Sequence, residues 1–155
     1  MAWPTREELD DLVARFRART LPKSEWTHEA HLAMGTWHVY RHGPEEALDL
    51  LRTGITRLNE AHGTVNDDSG GYHETITRAY VLLLSDFVGA RPGLSAADCV
   101  QGLLVSPLIA RKALFRYYSE KRLLSVPARK GWVEPDLEPL VAFDRDRFAP
   151  YDPAS

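Results

Sequence analysis

Apolar residues recur three or four positions apart through most of the chain, the signature of amphipathic helices. After Thr5-Arg6-Glu7-Glu8, Leu9, Leu12, Val13 and Phe16 follow at that spacing. Thr5 at the N-cap and Glu8 at N3 form a capping box. Leu21-Pro22 ends this segment, and Thr27 is the expected N-cap of a second helix that Gly43 stops. Pro44 opens a third helix, about Glu45 to His62, with Ala47, Leu51, Ile55, Leu58 and Ala61 in period. Gly63 to Gly71 is polar and glycine-rich and reads as a surface loop, followed by a helix over about Tyr72 to Val88. Ser95-Ala96-Ala97-Asp98 is another capped start, and Ser106-Pro107 begins a helix predicted to reach about Tyr118. Beyond Ser119 prolines and glycine break the pattern, and Trp132 to Leu140 is expected to pack on the body as an extended segment. No strand alternation occurs. The pattern predicts an all-α fold: one domain over residues 1–155, a compact bundle of five to six helices with an extended C-terminal tail from about residue 125.

The length of 155 residues suffices for one real core. Net charge is −3, which argues against nucleic acid or an anionic membrane as partner. No apolar run approaches the roughly 20 residues that span a bilayer, and the first residues form no apolar signal segment. The single cysteine, Cys99, excludes an intrachain disulfide and a cysteine-rich zinc site, and it reads as core. A reducing cytoplasm fits these features. The abundance of Ala, Arg, Leu and Asp points to a bacterial source.

All six histidines fall between His28 and His73. Four of them, His28, His31, His38 and His42, lie within about 80° of one another on the second predicted helix. Axial rise divides them into two local pairs: His28 and His31 are about 4.5 Å apart along the axis and His38 and His42 about 6 Å, whereas His31 and His38 are about 10.5 Å apart. Apolar residues on both sides of the stripe predict a largely buried helix, with Gly35 leaving room for something to approach its backbone. His38 and His42 sit in the last turns, where imidazolium is favoured by the helix dipole. His28 and His31 sit in the first turns, where a neutral imidazole is favoured and a metal could be bound.

A second polar cluster lies in Gly70-Gly71-Tyr72-His73-Glu74-Thr75-Ile76-Thr77-Arg78. His73, Thr77, Tyr80 and Leu84 share one helical face. Glu74 and Arg78 are spaced for an i,i+4 ion pair; alternatively Glu74 is a fourth ligand or a general base beside His73. His62, just before Gly63, is a helix cap or a pocket residue, and Asn59 at the edge of its face could bond a substrate. The His-Glu-x-x-His helix, the Gly-x-Ser-x-Gly elbow, Walker A and the dinucleotide fingerprint are all absent.

The runs Trp26-Thr27-His28-Glu29-Ala30-His31-Leu32, Asn59-Glu60-Ala61-His62-Gly63, Gly71-Tyr72-His73-Glu74-Thr75-Ile76-Thr77-Arg78 and Trp132-Val133-Glu134-Pro135 resemble a family of small bacterial helical proteins without an established reaction. The likeness covers roughly residues 20 to 140 and implies no catalytic roles. In residue type, though not in spacing, the chain is also similar to DinB-like helical metalloproteins.

These observations lead to a functional expectation: a metal-dependent enzyme acting on a small molecule. His28, His31 and His73 would hold a divalent transition metal (Fe, Cu, Ni or Zn) with one open position. Glu74, Tyr72 and Arg78 would be catalytic, and Asn59, His62 and His38 would line the substrate pocket. The alternatives are a metal-free acid/base enzyme using histidine and Glu74, and a non-catalytic small-ligand-binding module. The loop from Gly63 to Gly71 is expected to form the pocket rim or lid.

Overall fold

The computed structural model describes residues 2–140. Local capping chemistry sets most helix starts. Helix α1 (Arg6–Ala18) begins with the expected reciprocal box: Glu8 N–H donates to Thr5 Oγ1, and Thr5 N–H donates to Glu8 Oε1. Helix α2 (His28–His42) is capped by Thr27, whose hydroxyl oxygen accepts from Ala30 N–H at 3.1 Å. Gly43, at φ 79°, joins α2 to α3 (Pro44–Ala61), with Pro44 in its first turn. Helix α4 spans Glu74–Gly89 and α5 spans Ala96–Leu104, the latter capped by Ser95. No strand occurs among the described residues, and Asp67 and Gly70 form an isolated bridge in the loop before α4. The fold is all-α, as the periodicity predicts.

Helix α2 is the central element, packing against α1, α3, α4 and α5. Its buried residues run almost all the way round: Ala30, Leu32, Ala33, Met34, Gly35, Thr36, His38 and Val39. The space beside Gly35 is used by the protein itself. A Cβ there would lie 2.7 Å from Leu84 Cδ1, so the missing side chain lets α4 close onto α2. Leu58, Val81, Leu84, Val100 and Leu103 complete the core between these helices.

The C-terminal part departs from its expected form. The helix predicted from Ser106 to Tyr118 is two separate 3₁₀ turns, Pro107–Ile109 and Ala113–Arg116. Ser106 does cap the first, but the Ile109 carbonyl accepts from His28 Nε2–H at 2.8 Å. A continuing α-helix would require that carbonyl for residue 113. Two further one-turn helices follow, α6 (Glu120–Leu123) and α7 (Val126–Lys130), so the stretch expected as tail from about residue 125 begins in a helix. Residues 131–140 then run without regular structure along the body. Thr75 Oγ1 donates to the Gly131 carbonyl and accepts from Val133 N–H, while the Tyr118 hydroxyl donates to the Val133 carbonyl at 2.7 Å. The remainder of the expected tail lies outside the described residues. No helix among those described is long and apolar enough to cross a membrane.

Candidate functional site

Two adjoining chambers lie between α2, α3 and α4. The first, about 370 Å³, has walls of Leu32, Leu51, Ile55, Ile76, Val81 and Leu84, with His28, His31, Thr77, Tyr80 and Arg111 as polar lining. The second, about 480 Å³, is bordered by Lys23, Asn59, His62, Thr64, Gly71, Tyr72 and His73. Trp26, His31, Ile55, Ile76 and Thr77 line both, so the two adjoin, with His31 on the wall they share. Volume and lining are those of a site for a small, mainly apolar molecule oriented by a few polar groups.

Each histidine around this cavity is anchored by a backbone carbonyl. A carbonyl can only accept, so the ring nitrogen facing it carries the proton and the tautomer follows. His28 Nε2–H donates to Ile109, and His62 Nε2–H donates to the Leu21 carbonyl at 2.7 Å. His31 Nδ1–H donates to the Thr27 carbonyl at 2.7 Å, one turn back on its own helix. In the neutral ring this leaves the Nε2 lone pair of His31 without a protein partner among the described residues. The ring stacks on Trp26 with centroids 3.7 Å apart. By accessible surface His31 is exposed, and its ring borders both chambers. Desolvation holds its pKa below the usual histidine value; the bond to Thr27 opposes this and the neighbouring His28 adds to it. The imidazole is therefore neutral at pH 7.

His73 is placed differently. It is the N-cap of α4, with Nδ1 accepting from Ile76 N–H at 3.1 Å and Nε2–H donating to the Leu123 carbonyl at 2.8 Å. Both ring nitrogens are engaged, so His73 has no lone pair for an ion. Burial pushes its pKa down, in keeping with a ring that must stay neutral to accept from Ile76. Among the described residues no three His, Cys, Asp or Glu side chains are grouped to hold a metal. The residues present do not fit the expected three-histidine ligand set, because the third member ties α4 to α6.

The three expected catalytic residues also have structural partners. Glu74 is bound by the fork of Arg52: Nε donates to Oε1 at 2.9 Å and Nη2 to Oε2 at 2.7 Å. The Tyr72 hydroxyl donates to Oε1 at 2.7 Å. Burial would raise the Glu74 pKa, but the bonds from Arg52 and Tyr72 outweigh it and hold the carboxyl below its ordinary value. Glu74 is thus a poor general base near neutrality, and its hydrogen-bonded partner is Arg52 on α3 rather than Arg78. The guanidinium of Arg78 lies over the Trp132 ring, 4.7 Å from its centroid. Tyr72 is held protonated by burial and by its bond to Glu74.

Of the expected pocket residues, Asn59 and His62 line the second chamber. His38 does not; it borders a separate cavity of about 250 Å³ with Phe16, Arg17 and Gly54. It is buried, its Nδ1–H donates to the Met34 carbonyl, and desolvation lowers its pKa to about 4. The loop from Gly63 to Gly71 does border the cavity, through Thr64 and Gly71. Its shape is set by Asn66, whose Oδ1 accepts from Asn59 Nδ2 and from Tyr72 N–H while its Nδ2 donates to the Thr56 carbonyl. Gly71 packs on that side chain at φ 79°, and a Cβ there would lie 2.5 Å from Asn66 Oδ1.

Several lining residues were not selected from sequence, among them Thr77, Tyr80, Trp26 and Arg111. Thr77 and Tyr80 share the helical face of His73, so periodicity did carry a signal for them. Trp26 directly precedes the Thr27-His28 motif. Its indole N–H is buried and finds no acceptor among the described residues, a state that costs about 1–3 kcal/mol. Arg111 had no signal, since it enters from the turn that His28 interrupts. No family model, curated protein or solved structure matches this chain.

Proposed function

We propose that this protein binds a small, largely apolar molecule in the adjoining chambers between α2, α3 and α4 and uses neutral His31 as proton acceptor toward it. The observation that carries this reading is the anchoring of His31 Nδ1–H on Thr27, which leaves the opposite nitrogen as a lone pair on a ring bordering both chambers. A general base needs a fixed tautomer, an unprotonated state near the working pH and access to the proton it takes. The lowered pKa and the position of His31 meet those requirements. Apolar walls strengthen any hydrogen bond formed inside. Among the polar groups on this cavity, the Tyr80 hydroxyl is available to orient a ligand.

The experiment is a fragment screen followed by histidine ¹H–¹⁵N correlation spectra. A bound ligand should shift the His31 Nε2 resonance while Nδ1 stays protonated, and His31→Ala should abolish binding without lowering thermal stability. Ligands that bind without perturbing His31, or a His31 that is charged at pH 7, would sink the acid/base role and favour a plain binding module. Metal dependence is supported less well, because His73 would have to give up bonds to both Ile76 and Leu123 to become a ligand. Elemental analysis of untagged protein decides this: one equivalent of a transition metal, lost on His31→Ala, would restore it.

A further inference from the structure

The charge around the cavity narrows the ligand class. Acidic residues outnumber basic ones in this chain, 22 to 19. Yet among the described residues no aspartate or glutamate lines either chamber, and the two formally charged ones that do, Arg111 and Lys23, are cations. Arg111 belongs to the more apolar chamber. It forms no ion pair among the described residues; Glu29, outside the lining, senses its charge without closing to contact. Donors and positive charge beside aliphatic walls favour a molecule with an apolar body and an anionic end. A planar guanidinium matches a carboxylate in two parallel bonds, whereas the lysine is a strongly hydrated point charge.

We propose that the ligand is a small apolar carboxylic acid, its carboxylate held by Arg111 and its body against Leu32, Leu51, Ile55, Val81 and Leu84. The first chamber, about 370 Å³, lies at the small end of the range for small-molecule sites. The inference rests on the pocket reading above but not on His31 as a base.

The test is calorimetric titration of the full-length protein at pH 7 with phenylacetate, phenylacetamide and phenethylamine, which share a ring and differ in charge. Phenylacetate should bind about ten-fold tighter or more than the other two. Arg111→Gln should bring it down to the amide's affinity with an unchanged circular dichroism spectrum and melting temperature. Lys23→Gln should leave the preference within about two-fold. Equal binding of acid and amide overturns the anionic ligand and leaves the pocket reading standing. A preference that survives Arg111→Gln overturns the assignment to Arg111. If none of the three binds, both the acid proposal and the pocket reading fall.

Discussion

His73 offers the sharpest separation between a ligand-binding and a structural histidine. His73→Ala removes two bonds at once: the side-chain cap on Ile76 N–H and the donor to the buried Leu123 carbonyl. Loss of an N-cap bond costs about 1 kcal/mol. A buried carbonyl left without a donor costs about 1–3 kcal/mol. Together these give roughly 3 kcal/mol before any loss from ring packing, which for a chain of this size lowers the melting temperature by roughly 6–12 °C. His73→Asn should recover only the cap, about 1 kcal/mol, since asparagine caps well but is too short to span to Leu123. Thermal unfolding followed at 222 nm and pH 7.5 measures both variants beside His31→Ala, which should stay within about 1 kcal/mol of wild type. A His73→Ala protein that melts within about 2 °C of wild type, or an asparagine variant no better than alanine, would refute the assignment of His73 as the tie between α4 and α6.

Three further outcomes follow from the same contacts. The unfolded chain protonates His38 near pH 6.5 and the fold only near 4; between those values the unfolded state binds more protons, so stability should fall by roughly 3 kcal/mol as pH drops from 6.5 to 4. Urea titrations across that range should show the loss, and His38→Gln should flatten it. Arg52→Ala leaves the half-buried Glu74 carboxylate without its fork and should cost about 2 kcal/mol, between the values for exposed and buried pairs, read as a lower urea midpoint. Gly71→Ala places a Cβ against Asn66 at a positive φ and should destabilise by more than about 1 kcal/mol in the same assay.

Helix starts were legible because their chemistry is local. The caps at Thr5, Thr27 and Ser95 each bond an N–H three residues on, and Pro44 needs only its own ring. The all-α architecture was readable for that reason, and apolar residues on both sides of α2 predicted its burial. What each histidine does was not. His28 donates to a carbonyl 81 residues away, His62 to one 41 away and His73 to one 50 away. Glu74 finds its arginine 22 residues upstream on another helix. A ring nitrogen is available to a ligand only if no backbone group takes it first, and which backbone groups arrive is settled by packing. Sequence periodicity placed His28, His31 and His73 at helix starts. Tertiary contacts anchored His28 and His73, while His31 is held one turn back by Thr27; packing left the Nε2 lone pair of His31 beside both chambers and brought Trp26, Tyr80 and Arg111 in around it.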